Sequence, residues 1–118
     1  MIPELVAGQV YLACGPTDLR KSIDGLAAVV QQGFALDPCG DAWFVFCNRD
    51  RDKLKILRWD HAGFWLYYRR LERGRFQWPM TAQEATRVIT RRQLQWLLDG
   101  LALEQRLAHP AVTARTVV

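Results

Sequence analysis

Histidine is scarce in this chain, with only His61 and His109, and the two are far apart in the sequence. No Ser-His-Asp or Cys-His constellation can be assembled around them. The cysteines, Cys14, Cys39 and Cys47, are odd in number and have no close pair. That excludes a disulfide framework and the usual zinc spacings. Two of them lie in or beside strand-like apolar runs, where a free cysteine behaves as a small hydrophobe. Long apolar runs are also missing, and none approaches the ~20 residues needed to cross a bilayer. The N-terminus carries Glu4 and no basic stretch, unlike a secretory signal. The expectation is a reduced, cytoplasmic protein with no membrane contact. Convergent carboxylates are absent too: Asp50 and Asp52 alternate with Arg49, Arg51 and Lys53, and Asp60 falls in a separate turn. Interleaved charges make a solvated loop, whereas a metal-dependent nuclease needs carboxylates that meet at Mg²⁺. No catalytic residue, metal ligand or cofactor is expected, and the chain reads as a non-enzyme.

What the chain does have is a core and an uneven charge. Its 118 residues are half hydrophobic and 11% aromatic, enough for one well-packed domain. The net charge is +4, but twelve Lys/Arg face five Asp/Glu between Arg49 and Arg92, and four face seven in the remainder. Such asymmetry directs the middle of the chain toward an anionic partner, although a basic face that merely aids solubility has the same composition.

Along the chain, residues 9–13 (QVYLA) form a strand, and Gly15-Pro16-Thr17-Asp18 turns into a helix with Thr17 as its N-cap. Leu19, Ile23, Leu26, Ala27 and Val30 recur at helical spacing, and Gly33 is a natural stop. Residues 36–41 are a loop. Strands follow at 42–48, 53–60 and 64–71, then a tight Arg73-Gly74 hairpin and a fourth strand at 75–78. This meander sets Trp59 opposite Phe64, Leu57 opposite Leu66 and Lys55 opposite Tyr68. One face then carries Phe44, Phe46, Leu57, Trp59, Phe64 and Leu66, and the other Val45, Cys47, Leu54, Ile56, Trp65, Tyr67, Leu71 and Phe76. Both faces are apolar, so a second helix or a partner must cover what the first helix does not. Thr90-Arg91-Arg92-Gln93 has the form of a capping box ahead of Leu94, Leu97, Leu98 and Leu101, with Gly100 ending that helix. The fold expected is α+β: one domain over residues 1–109, an antiparallel meander of four to five strands with two main helices, and a loose tail at 110–118.

Residues 15–22 (GPTDLRKS) follow a strand and approach the phosphate-binding pattern G-x-x-x-x-G-K-[ST]. Arg20 stands where the second glycine must be, and Pro16 removes an amide donor. Nucleotide hydrolysis is therefore not indicated. A capped helix with solvent-facing Arg20 and Lys21 is the simpler reading, and contact with a single backbone phosphate is the other. The basic pattern of the meander survives this scrutiny. Arg49, Arg51, Lys53 and Lys55 lie on one hairpin, Arg69, Arg70, Arg73 and Arg75 on the next. Alternate turns of a meander share an end, so these charges can join into one patch that tracks phosphates. Trp65, Tyr67, Tyr68 and Trp78 offer stacking surfaces, but strand aromatics are usually core and most are expected to be buried.

Three segments, VYLACGPTDLRKSIDGLAAVV, FVFCNRDRDKLKILRWDHAGFWLYYRRLERGRFQWP and ITRRQLQWLLDGL, carry a resemblance. In this order they resemble the accessory protein of the insertion-sequence sixty-six family. That protein is the product of the second open reading frame, often called TnpB and unrelated to the RNA-guided nuclease of the same name. The likeness spans about residues 8–101 and leaves out the 110–118 tail. It implies a role in DNA transposition beside a larger transposase that carries the catalytic acids, with that transposase and another accessory protein as partners. No catalytic residues come with it. The family's basic positions match Arg20, Lys21, Arg49, Arg51, Lys55, Arg69, Arg70 and Arg75. With Lys53 and Arg73 added from the charge pattern, these are the candidate contacts to transposon-end DNA. The alternative is an adaptor that docks on the transposase through an apolar sheet face without touching DNA.

Overall fold

The computed structural model describes residues 8–105. The chain enters through β1 (Gln9–Ala13), crosses by α1 (Ile23–Ala28) and wider π-helical turns over Val29–Gly33, and returns as β2 (Ala42–Cys47). It then runs through β3 (Lys53–Trp59), β4 (Phe64–Arg70), β5 (Thr86–Ile89) and α2 (Arg91–Leu98). The sheet order is β4-β3-β2-β1-β5. The meander β2-β3-β4 is antiparallel, with Trp59 opposite Phe64, Leu57 opposite Leu66 and Lys55 opposite Tyr68, as the alternation predicts. β1 joins it parallel to β2, since a helical crossover brings the chain back in the same direction. β5 closes the far edge antiparallel to β1. The architecture is α+β with a mostly antiparallel five-stranded sheet.

Each apolar face has its own cover. On one, Leu26 and Val30 of the first helical segment pack over Phe44, Phe46 and Leu57. On the other, Leu94, Leu97 and Leu98 of α2 pack over Val10, Leu12, Val45, Leu54 and Ile56, with Phe76 and Trp78 filling the gap. Cys47 lies in that second core, and burial pushes its thiol up to about 12. At about 1.5–3 kcal/mol per large apolar side chain, these two layers dominate folding.

Three local expectations are corrected. Thr17 is not an N-cap: its amide donates to the Cys47 carbonyl (2.8 Å), and helix α1 begins only after Ser22. Leu19 still joins the core, which is why the periodicity extends beyond the helix. Residues 75–78 are not a strand. Phe76 and Trp78 alternate into the core, but the Phe76 amide donates to the Arg51 carbonyl (2.7 Å) and the Trp78 indole to the Ala13 carbonyl (2.9 Å). A period of two here reflects burial without a ladder. The fifth strand is instead Thr86–Ile89, which takes the free edge of β1.

The second helix follows its sequence signals closely. Thr90 Oγ1 accepts from the Gln93 amide (3.0 Å) and Gln93 Oε1 accepts from the Thr90 amide (2.9 Å), a complete capping box. At the other end Gly100 adopts φ +80, its amide bonds to the Leu97 carbonyl, and the Leu101 amide bonds to the Trp96 carbonyl. That is a Schellman stop, and it needs a residue at ease in the left-handed region. The 110–118 tail, the 109 boundary and His109 lie outside the described residues.

Candidate nucleic-acid interface

β1 and β2 are parallel and β4 runs with them, so the segments that leave their C-terminal ends, residues 14–22, 48–52 and 71–75, emerge at one end of the sheet. Every sequence-predicted basic residue belongs to these segments or to the strand ends beside them. The parallel β1–β2 pair is what adds Arg20 and Lys21 to the group.

Hydrogen bonds hold the three segments together. In the 48–52 turn, Asn48 Oδ1 accepts from the amides of Asp52 and Lys53 (both 3.1 Å), and its Nδ2 donates to Asp52 Oδ1 (2.7 Å). Those contacts fix a tight loop in which Arg51 adopts φ 61. The Leu71 amide donates to the Asp52 carbonyl (2.8 Å), which with the Phe76–Arg51 bond ties the 71–75 segment to this turn. Gly74 sits at its tip with φ +76 and open space around it, so backbone conformation alone favours glycine there. On the other side, Lys55 Nζ donates to the carbonyls of Leu19 (2.7 Å) and Lys21 (3.0 Å), pinning the 14–22 segment to β3.

The ten candidate residues thus divide by what already engages them. Lys55 and Arg69 serve the backbone: Lys55 as described, and Arg69 through Nε to the Leu98 carbonyl (2.9 Å) at the end of α2, where a cation also suits the helix dipole. Arg20, Lys53 and Arg70 are ion-paired with Asp18 (2.8 Å), Asp52 (3.4 Å) and Glu72 (2.8 Å). These pairs are exposed or half-exposed and contribute little stability. The Arg20 guanidinium holds the Asp18 carboxyl well below the usual aspartate range. For Asp52 the Asn48 amide is the main cause of the same downward shift, with Lys53 adding to it. Lys21, Arg49, Arg73 and Arg75 are exposed, and with the half-buried Arg51 they form no side-chain hydrogen bond or ion pair among the described residues. Against these five the three segments hold one acid outside the ion pairs, Asp50. The cationic surplus of the sequence is therefore concentrated at this end of the sheet.

Between the 14–22 segment and the 48–52 turn lies an open groove of about 730 Å³, lined by residues from both and by Lys53, Lys55 and Tyr68. Groove residues that sequence reasoning did not single out for this role are Pro16, Leu19 and Asn48. Asn before a charged turn is a recognisable turn organiser; nothing local marks Pro16 or Leu19 as a groove wall. The aromatics split. Trp78 is buried and Tyr67 partly so, whereas Trp65 and Tyr68, on the edge strand β4, are each 54% exposed. No helix among the described residues is long and apolar enough to cross a membrane, and no cluster of three metal-ligating side chains occurs among them.

Against known proteins, the family model described as IS66 Orf2 like protein matches residues 8–108. The chain is 38% identical over 115 residues to the uncharacterized protein y4hO of Sinorhizobium fredii (strain NBRC 101917 / NGR234), covering 98% of this chain and 96% of that one. It is 38% identical over 72 residues to the uncharacterized protein y4jC of the same strain, covering 60% of this chain and 61% of that one. No solved structure matches it significantly.

Proposed function

The chain belongs to the IS66 Orf2-like family, and from that membership we propose that it serves transposition as a non-catalytic factor that binds transposon-end DNA through the loops at one end of its sheet. The family is an accessory one, associated with the transposition machinery, and is not a known enzyme family. One observation carries the DNA reading: Lys21, Arg49, Arg51, Arg73 and Arg75 emerge at one end of the sheet without acidic partners among the described residues. Cations left over after the fold's own needs are met are free to replace the counterions of a phosphate backbone.

Fluorescence anisotropy with the element's terminal inverted repeat and a scrambled duplex, at two salt concentrations, tests this. Affinity should fall by roughly 10³–10⁵ between 50 and 200 mM salt if 6–10 phosphates are contacted. The Arg73→Glu plus Arg75→Glu variant should stay folded and lose binding; unchanged binding removes that segment from the interface. Preference for the repeat indicates end recognition, and equal binding indicates a non-specific clamp. No binding at low salt leaves the second reading, an adaptor docking on the transposase. That reading relied on an uncovered apolar sheet face. Both faces are covered, so such a partner would meet the exposed Trp65 and Val88 on the two edge strands instead. Salt would barely affect that contact.

A further inference from the structure

We infer that the groove between the 14–22 segment and the 48–52 turn seats an unpaired base, so that the DNA bound at this end of the sheet is single-stranded. The inference rests on the DNA-binding reading and adds the strand state of the ligand. Its basis is the pairing of a flat aromatic wall with a basic rim. Tyr68 lines the groove with half of its surface exposed. Its position is held from below: cross-strand Lys55 places its ammonium 5.9 Å from the ring centroid while donating to two carbonyls of the facing segment. Pro16 and Leu19 provide apolar surface on the facing segment, and Arg49 on the turn and Lys53 at the start of β3 complete the groove. Two acids line the groove: Asp18 is bound by Arg20, and Asp50 lies on the turn between Arg49 and Arg51.

The groove falls within the size range of small-ligand sites, roughly 300–1,000 Å³. Apolar walls beside a tyrosine face suit a nucleobase, and cations at the edge suit the phosphates on either side of it. A base within a duplex is stacked and paired and cannot enter unless it is extruded, which costs a few kcal/mol. The residues that line the groove lie on loops and a strand edge, the usual geometry for unstacked bases.

The test compares a fluorescein-labelled oligothymidylate with a duplex of equal length, using the full chain, its Tyr68→Ala variant and its Tyr68→Phe variant. The single strand should bind more tightly than the duplex. Tyr68→Ala should weaken the single strand by about tenfold or more, the usual effect of losing one stacking platform. The duplex affinity should hardly change, and Tyr68→Phe should keep the wild-type values, because the ring and not the hydroxyl does the stacking. Thermal melts of both variants check that the edge strand is intact. Equal affinity for the two DNAs, with Tyr68→Ala neutral or equally harmful to both, overturns the groove inference and leaves the basic-loop reading standing. Absence of binding to either DNA overturns both.

Discussion

At the end of the sheet where β3 finishes, Arg58 is consumed inside the fold; at the other end Arg49, Arg73 and Arg75 stand in solvent. The Arg58 side chain is only 16% exposed, pairs with Asp41 at 2.9 Å and lies 4.9 Å over the ring of its cross-strand neighbour Trp43. One of its nitrogens, Nη1, is buried without an acceptor. Gly8 makes room for this corner: it has φ +85, and a Cβ there would collide with the Asp41 carbonyl and crowd Arg58. Nearby, Asp60 accepts from the Trp65 indole and from the amides of Ala62 and Gly63. At that corner Arg58, Asp41 and Asp60 each have a structural partner. At the basic end, acids pair with Arg20, Lys53 and Arg70, and five cations remain. The density of arginine in the sequence does not distinguish the two ends. The hydrogen bonds and ion pairs do: they engage Arg58 at one end and leave five cations without acidic partners among the described residues at the other.

The most damaging change should be Phe76→Ala. It removes a fully buried ring and loosens the segment that the Phe76 amide ties to Arg51, so urea unfolding should show a loss of about 3–5 kcal/mol. DNA affinity should fall as well, since Arg73 and Arg75 ride on that segment. Next is Arg58→Ala, expected to cost about 2 kcal/mol through the lost cation–π contact and stem packing, with DNA affinity unchanged. If Arg58→Ala weakened DNA binding as much as the Arg73/Arg75 reversal does, the division between the two ends would collapse. The smallest effect concerns acid. Asp52 and Asp60 sit below the ordinary aspartate value of 3.8, held there by the Asn48 amide and the Trp65 indole respectively. Their contribution to stability is complete above that value and is lost as pH falls through their lower folded values. Asp60→Asn should therefore flatten the fall in the urea midpoint on acidification while leaving DNA affinity at neutral pH untouched.

Much of this was readable from local pattern. The cross-strand pairs of the meander followed from strict alternation between recognisable turns, because a one-residue slip would expose a whole apolar face. The capping box and Gly100 marked α2 from both ends. The basic residues were identified as a group, but not by role. Lys55 and Arg69 look the same as Arg49 and Arg73 in the sequence, yet Lys55 bonds to carbonyls 36 and 34 residues away and Arg69 to one 29 residues away. Thr86–Ile89 is too short to announce itself as a strand, and only the vacant edge of β1 makes it one. Phe76 and Trp78 imitate a strand because both must be buried.

By itself, the sequence determined the family, the α+β class, the two apolar faces and the concentration of positive charge in one stretch of chain. These depend on composition, motif order and short-range periodicity, which survive without knowing what lies across the sheet. Tertiary structure alone decided that the 14–22 segment joins the basic end, which cations are engaged and which are free, and that Tyr68 faces a groove. Each of those depends on partners brought together by the parallel β1–β2 pairing and by the edge position of β4, contacts between residues distant in the chain that no local pattern encodes.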